Sequence, residues 1–204
     1  MRHLGDITKI HGYDITPVDV ITGGSPCQDL SVAGKRAGLE GERSGLFMEQ
    51  IRIVKEMREH DRANGRTAEF IRPRFMVWEN VQGAFNSNGG KDFQAVLTEI
   101  VRIAEPDAPD VPLPDRGGRW SKSGCLMGFG KDGCPFSIAW RLHDAQFWGV
   151  PQRRKRIALV ADFGGTCATE VLFERKGLSG NFEQSRETRK RIAGNTQRSI
   201  GATD

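Results

Sequence analysis

The stretch that constrains this chain most is Pro17–Leu39, PVDVITGGSPCQDLSVAGKRAGL. A short apolar run, Val18, Val20 and Ile21, closes on paired glycines. That pattern predicts a buried parallel strand over Pro17–Gly24. Ligands of open α/β sheets sit beyond the carboxyl ends of such strands, and Cys27 follows there at once. The loop behind it is rich in glycine and small residues and carries Lys35 and Arg36. Such a loop can present a thiolate to an anionic polymer. Taken alone, a cysteine at this position is more often structural than reactive.

Two helices are predicted from apolar spacing. Over Ser44–Ala63, Leu46, Phe47, Ile51, Val54 and Met57 form one stripe. Ser44 is the predicted cap, and Asn64-Gly65 the stop. Glu49, Lys55, Glu56, Arg58 and Glu59 are assigned to the solvated side. Over Lys91–Ala104, Phe93, Val96, Leu97, Ile100 and Val101 turn inward. Between them Pro73–Val81, PRFMVWENV, reads as a second buried strand with Glu79 and Asn80 at its carboxyl end. An acid there is either catalytic or a turn carboxylate. Asp6, after Gly5, is likewise a ligand contact or a turn residue.

Residues 105–135 hold five prolines and a run of glycines with little apolar period, and read as a long surface loop. Strands are predicted at Phe136–Asp144, Ile157–Val160 and Thr169–Phe173. Gln152–Arg156, QRRKR, lies between a turn at Trp148–Pro151 and a core strand. That setting suits phosphate or carboxylate partners. Residues 175–204 are polar and are expected to be disordered, leaving 1–174 as the folded domain.

With 37% hydrophobic and 27% charged residues the chain can build one core, and no apolar run is long enough for a membrane span. Lys and Arg number 30 against 26 acidic residues, a balance of +4 that permits nucleic-acid binding. The first ten residues lack a signal-peptide layout, so the expected compartment is the cytoplasm and the four cysteines are expected as thiols. Their spacing offers no metal site.

Taken in order, GDIT at Gly5–Thr8, GGSPCQDLSVAGKRAGL, RSGLF at Arg43–Phe47, ENV at Glu79–Val81 and QRRKRI resemble the bacterial and phage DNA (cytosine-5)-methyltransferases. The similarity runs from about Gly5 to Asp162. It implies an α/β, Rossmann-like sheet of the S-adenosylmethionine-dependent methyltransferases. It implies that Cys27 is the nucleophile, that Glu79 is the acid at the ring nitrogen N3, and that Arg154 and Arg156 order the base and the loop. Asp6, Ile7, Pro26 and Leu46 would line the S-adenosyl-L-methionine site. Gln28, Ser31, Lys35, Arg36 and Arg153 would meet double-stranded DNA, and no metal is implied.

The family's opening strand with its Phe-x-Gly-x-Gly turn, and its target-recognition domain, have no counterpart in the sequence. The resemblance thus predicts a catalytic domain truncated at both ends. It predicts weak cofactor binding and slow or no methylation by the isolated chain, with a complementing polypeptide as one way to supply the missing motifs. Two other readings stand beside it. One is a non-catalytic DNA-binding remnant using the same cations. The other is a thiol hydrolase, for which the four histidines supply no recognisable partner.

Overall fold

A computed structural model describes residues 3–25, 45–115, 117–148 and 152–173. Eight elements follow along the chain: β1 Val20–Gly24, α1 Gly45–Ala63, β2 Phe75–Val81, α2 Lys91–Ala104, β3 Ser123–Phe129, β4 Pro135–Asp144, β5 Lys155–Asp162 and α3 Ala168–Leu172. The strands form one sheet in the order β1-β2-β5-β4-β3. β1 and β2 are parallel and joined through α1, while the remaining pairs are antiparallel. This is the α/β architecture expected of a Rossmann-like methyltransferase sheet. No helix among the described residues is long and apolar enough to cross a membrane.

The two long helices form because their apolar residues recur at helical spacing. Phe47, Ile51 and Val54 of α1 and Phe93, Val96, Leu97 and Ile100 of α2 are buried on one face of the sheet. They meet Met76, Trp78, Ile138, Trp140, Ile157 and Leu159 there. Phe93 is the hub of this core. Its ring lies edge-on to Phe85, Trp120 and Trp140, at centroid distances of 4.8, 5.3 and 5.7 Å. Helix α1 ends as its sequence predicts. The Gly65 amide bonds back to the Arg62 carbonyl, and Gly65 takes a φ of +89°.

Four expectations are corrected. Strand β1 is not buried on both faces. It pairs only with β2 among the described residues, so Val18 and Val20 remain 41% and 48% exposed. The stretch 105–135 is not all surface loop, because β3 lies within it and Val111 and Trp120 are buried. Its inward positions include Gly124 and Gly128, which erases the apolar alternation. The rings of Trp140 and Phe136 take up the space, and a Cβ on either glycine would meet them at 2.2 and 2.7 Å.

The predicted last strand is instead the helix α3. Thr169 and Val171 favour a strand locally, but both edges of β5 are already taken by β2 and β4. The amides of Gly164 and Cys167 also turn the chain onto the Asp162 carboxylate. Lastly, Arg58 of α1 is buried, donating to the carbonyls of Ile71 and Pro73. Burial in this setting lowers its pKa to about 10.

Candidate functional site

The carboxyl ends of β1 and β2 define the site. Ser25, the first residue beyond β1, is held from two sides by β2. Asn80 is buried, and its amide donates to the Ser25 carbonyl at 3.0 Å and to its hydroxyl at 3.2 Å. The indole N–H of buried Trp78 donates to the same hydroxyl at 3.2 Å. The Asn80 side-chain oxygen accepts from the Val81 amide at 2.7 Å. Asn80 therefore stiffens the backbone beside Glu79 and also fixes Ser25, the residue before Pro26 and Cys27. Asn80→Ala is expected to lower unfolding free energy by about 1 kcal/mol, because the carbonyl and hydroxyl of partly buried Ser25 lose the buried Asn80 donor. A urea midpoint unchanged by the substitution would contradict this.

Glu79 is in register with Gly24 on one side and Ala158 on the other. Its side chain lies on the sheet face opposite α1 and α2 and pairs with Arg156, Nε to Oε1, at 2.8 Å. Half-exposed pairs of this kind add only about 0–1 kcal/mol to stability. What the pair supplies is orientation: the guanidinium fixes one carboxylate oxygen. Arg153 and Arg154 are exposed where the chain enters β5, and the Arg154 carbonyl accepts from the Ala145 amide.

On the helix side, a small open pocket of about 130 Å³ lies between β1 and α1. Ile7, Ile21, Leu46 and Ile53 give it apolar walls, Gly23–Ser25 its backbone edge, and Gln50 a polar side chain. Asp6 stands one residue before this wall. Its carboxylate accepts from the Thr8 amide and hydroxyl at 3.0 and 2.9 Å, and those bonds hold it below its ordinary pKa. One oxygen carries both bonds, so the other can accept from a ligand amine. The turn role expected of Asp6 is what its geometry shows.

Of the residues singled out in the sequence, Glu79 and Arg156 are in contact, and Ile7 and Leu46 share one pocket. Pro26, Cys27, Gln28, Ser31, Lys35 and Arg36 lie outside the described residues, as do the Ser44 cap and the tail from 174. The sequence reading did not single out Ser25 or Gln50. Ser25 meets Asn80 across 55 residues, and no local pattern signals such a contact.

A family model described as C-5 cytosine-specific DNA methylase matches residues 2–103, half of the chain. The chain belongs to this family. Among relatives of the C-5 cytosine methylase chain, the "DNA N-6-adenine-methyltransferase" of Escherichia phage P1 is 34% identical over 95% of it and 27% of its own length. The type II methyltransferase M.BsuFI of Bacillus subtilis is 28% identical over 76% of the chain and 27% of its own length. M.AquIA of Picosynechococcus is 28% identical over 78% of the chain and 52% of its own. The chain thus spans about a quarter to a half of these relatives. Among solved structures, the Dnmt2 methyltransferase of S. pombe aligns over 87% of this chain and 43% of its own, with a TM-score of 0.41 and 15% identity.

Proposed function

We propose that this chain carries the catalytic centre of a DNA (cytosine-5-)-methyltransferase that uses S-adenosyl-L-methionine and a covalent Cys27 adduct. The observation that supports this best is the anchoring of Ser25 by Asn80. It starts the Pro26-Cys27 segment one strand away from the Glu79–Arg156 pair. Carbon 5 of cytosine is a weak nucleophile. Addition of the Cys27 thiolate to carbon 6 pushes an electron pair toward N3, where Glu79 supplies a proton, and leaves carbon 5 enamine-like. Bound S-adenosyl-L-methionine supplies the electrophilic methyl group that carbon 5 takes up. A base then removes the proton from carbon 5, N3 returns its proton to Glu79, the carbon–sulfur bond breaks, and Cys27 leaves as thiolate.

Arg156, with Arg154 beside it, stabilises charge at the base's carbonyl oxygen. Asp6, Ile7, Pro26 and Leu46 hold the adenine end of the cofactor. Gln28, Ser31, Lys35, Arg36 and Arg153 hold the strand from which the cytosine is flipped.

The phage P1 relative is named for adenine N6 methylation, but this chain aligns with about a quarter of that protein. An exocyclic amine attacks a methyl group directly and needs no thiolate. The Pro-Cys and Glu-Asn-Val motifs therefore favour cytosine carbon 5. The test is incubation with duplex DNA containing 5-fluorocytosine, plus S-adenosylmethionine. A denaturation-resistant protein–DNA adduct, lost in Cys27→Ala, is expected. DNA binding that yields no adduct and is unchanged in Cys27→Ala would replace this reading with a non-catalytic DNA-binding role. Labelled N6-methyladenine would replace it with the adenine reaction.

A further inference from the structure

We infer that Arg52 of α1 is a positioning residue for the pocket between β1 and α1, holding the segment Ile7–Tyr13 in place as one of its walls. The inference rests on the reading of that pocket as the cofactor site. Arg52 is not an ordinary surface ion pair. Its Nη2 donates to the Ile10 carbonyl at 2.8 Å and to the Ile7 carbonyl at 3.3 Å, contacts 42 and 45 residues apart in sequence. Nη2 and Nε both donate to Glu49, the latter at 2.8 Å, and Nη1 donates to Glu56 at 2.8 Å. One planar guanidinium thus joins the helix to two carbonyls of a segment that lacks regular secondary structure apart from two short 3-10 turns.

The same stripe of α1 continues the attachment. The second oxygen of Glu56 accepts from the Gly12 amide at 2.6 Å, and Glu59 accepts from the Tyr13 hydroxyl at 2.6 Å. Residues 52, 56 and 59 are spaced i, i+4, i+7 and share one helix face. Gly12 lies so close that a Cβ there would stand 2.6 Å from the Ile53 carbonyl oxygen. The sequence pattern placed Glu56 and Glu59 on a solvated side; Glu59 is exposed as expected, yet both side chains also hold another part of the chain.

The consequence for function is local. Ile7 lines the pocket, and its own carbonyl is one of the two that Arg52 holds. Asp6 precedes it and caps the same 3-10 turn. The apolar core under α1 is made by Phe47, Ile51 and Val54 on another face, so the helix does not need Arg52 to stay packed. Loss of the guanidinium therefore frees the wall and not the fold. A lysine reaches with one short head where arginine spans four acceptor atoms, so Arg52→Lys restores only part of the effect.

The test uses the full chain with Arg52→Ala, Arg52→Lys and Gly12→Ala. In Arg52→Ala, hydrogen exchange of the amides of residues 9–14 is expected to rise about tenfold, with the amides of β2 and β5 unchanged. Equilibrium dialysis with S-adenosylmethionine is expected to show affinity reduced about fivefold, while duplex-DNA binding without cofactor stays as in wild type. Gly12→Ala, which pushes the segment off the helix without touching Arg52, should reproduce both changes, and Arg52→Lys should lie between. Unchanged exchange at residues 9–14 overturns the inference. So does raised exchange with unchanged cofactor affinity. A wild-type chain that binds no S-adenosylmethionine removes the cofactor reading of the pocket, while the exchange result still decides whether Arg52 holds its wall.

Discussion

Glu79→Gln is expected to slow formation of the Cys27–cytosine adduct by about a hundredfold or more, the usual effect of losing a positioned general acid. The carboxamide keeps the shape of the side chain but has no proton to give to N3. Charge pushed onto the ring by the attacking thiolate then stays there. The loss is expected in the rate and not in the fold. Glu79 is half exposed and its pair with Arg156 is worth at most about 1 kcal/mol to stability. The urea midpoint should therefore stay near that of wild type, and DNA affinity should as well.

Arg156→Ala separates the two roles. It leaves the acid in place but frees its carboxylate from the 2.8 Å contact that orients it. A smaller loss, of about tenfold, is expected from misorientation alone. Single-turnover trapping on 5-fluorocytosine DNA measures both variants. If Glu79→Gln traps as fast as wild type, the acid is not Glu79 and the proposed chemistry at N3 is wrong.

Much of the scaffold can be read in the chain. Helix α2 has the predicted bounds, and α1 ends at Ala63 as predicted, because apolar residues at helical spacing are a local signal. Strands β2, β4 and β5 were legible from apolar content. What could not be read depends on distant neighbours. Gly124 and Gly128 look like loop residues until the rings of Trp140 and Phe136 are seen to cover them. Val18 and Val20 look buried, yet both are exposed, and among the described residues β1 pairs only with β2. In the site, the motif order named Glu79 and Arg156, and their contact across 77 positions then appears in the antiparallel register of β2 and β5. The periodicity of α1 marked a polar face but carried no sign that Arg52 and Glu56 grip residues 7–12.

Asp162→Ala is the substitution expected to cost the fold most, about 3 kcal/mol of unfolding free energy, since breaking one partner of a buried ion pair strands the other. The carboxylate is wholly buried at the end of β5. It takes a two-pronged contact from Arg74, Nε to Oδ1 at 2.8 Å and Nη2 to Oδ2 at 3.0 Å. It also accepts from the amides of Gly164 and Cys167, both at 3.1 Å. One side chain thereby ties the entry of β2 to the exit of β5 and starts the turn into α3. Arg74 is about one-third exposed and can regain water, which keeps the cost near the lower end of the range for such pairs. Burial by itself would raise the Asp162 pKa, but the Arg74 fork and the two amides outweigh it and hold the group below its ordinary 3.8. A carboxyl whose folded pKa lies below its unfolded value stabilises fully above the unfolded pKa. It loses that contribution as pH falls through the folded one. Wild-type stability should therefore decline below about pH 4, and the part of that decline due to this group should vanish in Asp162→Ala. Urea titrations at pH 7 and at pH 3 measure it. The gap between wild type and variant should be widest at neutral pH and shrink in acid. A gap that is the same at both would mean that the carboxylate's charge does not hold this corner of the sheet together.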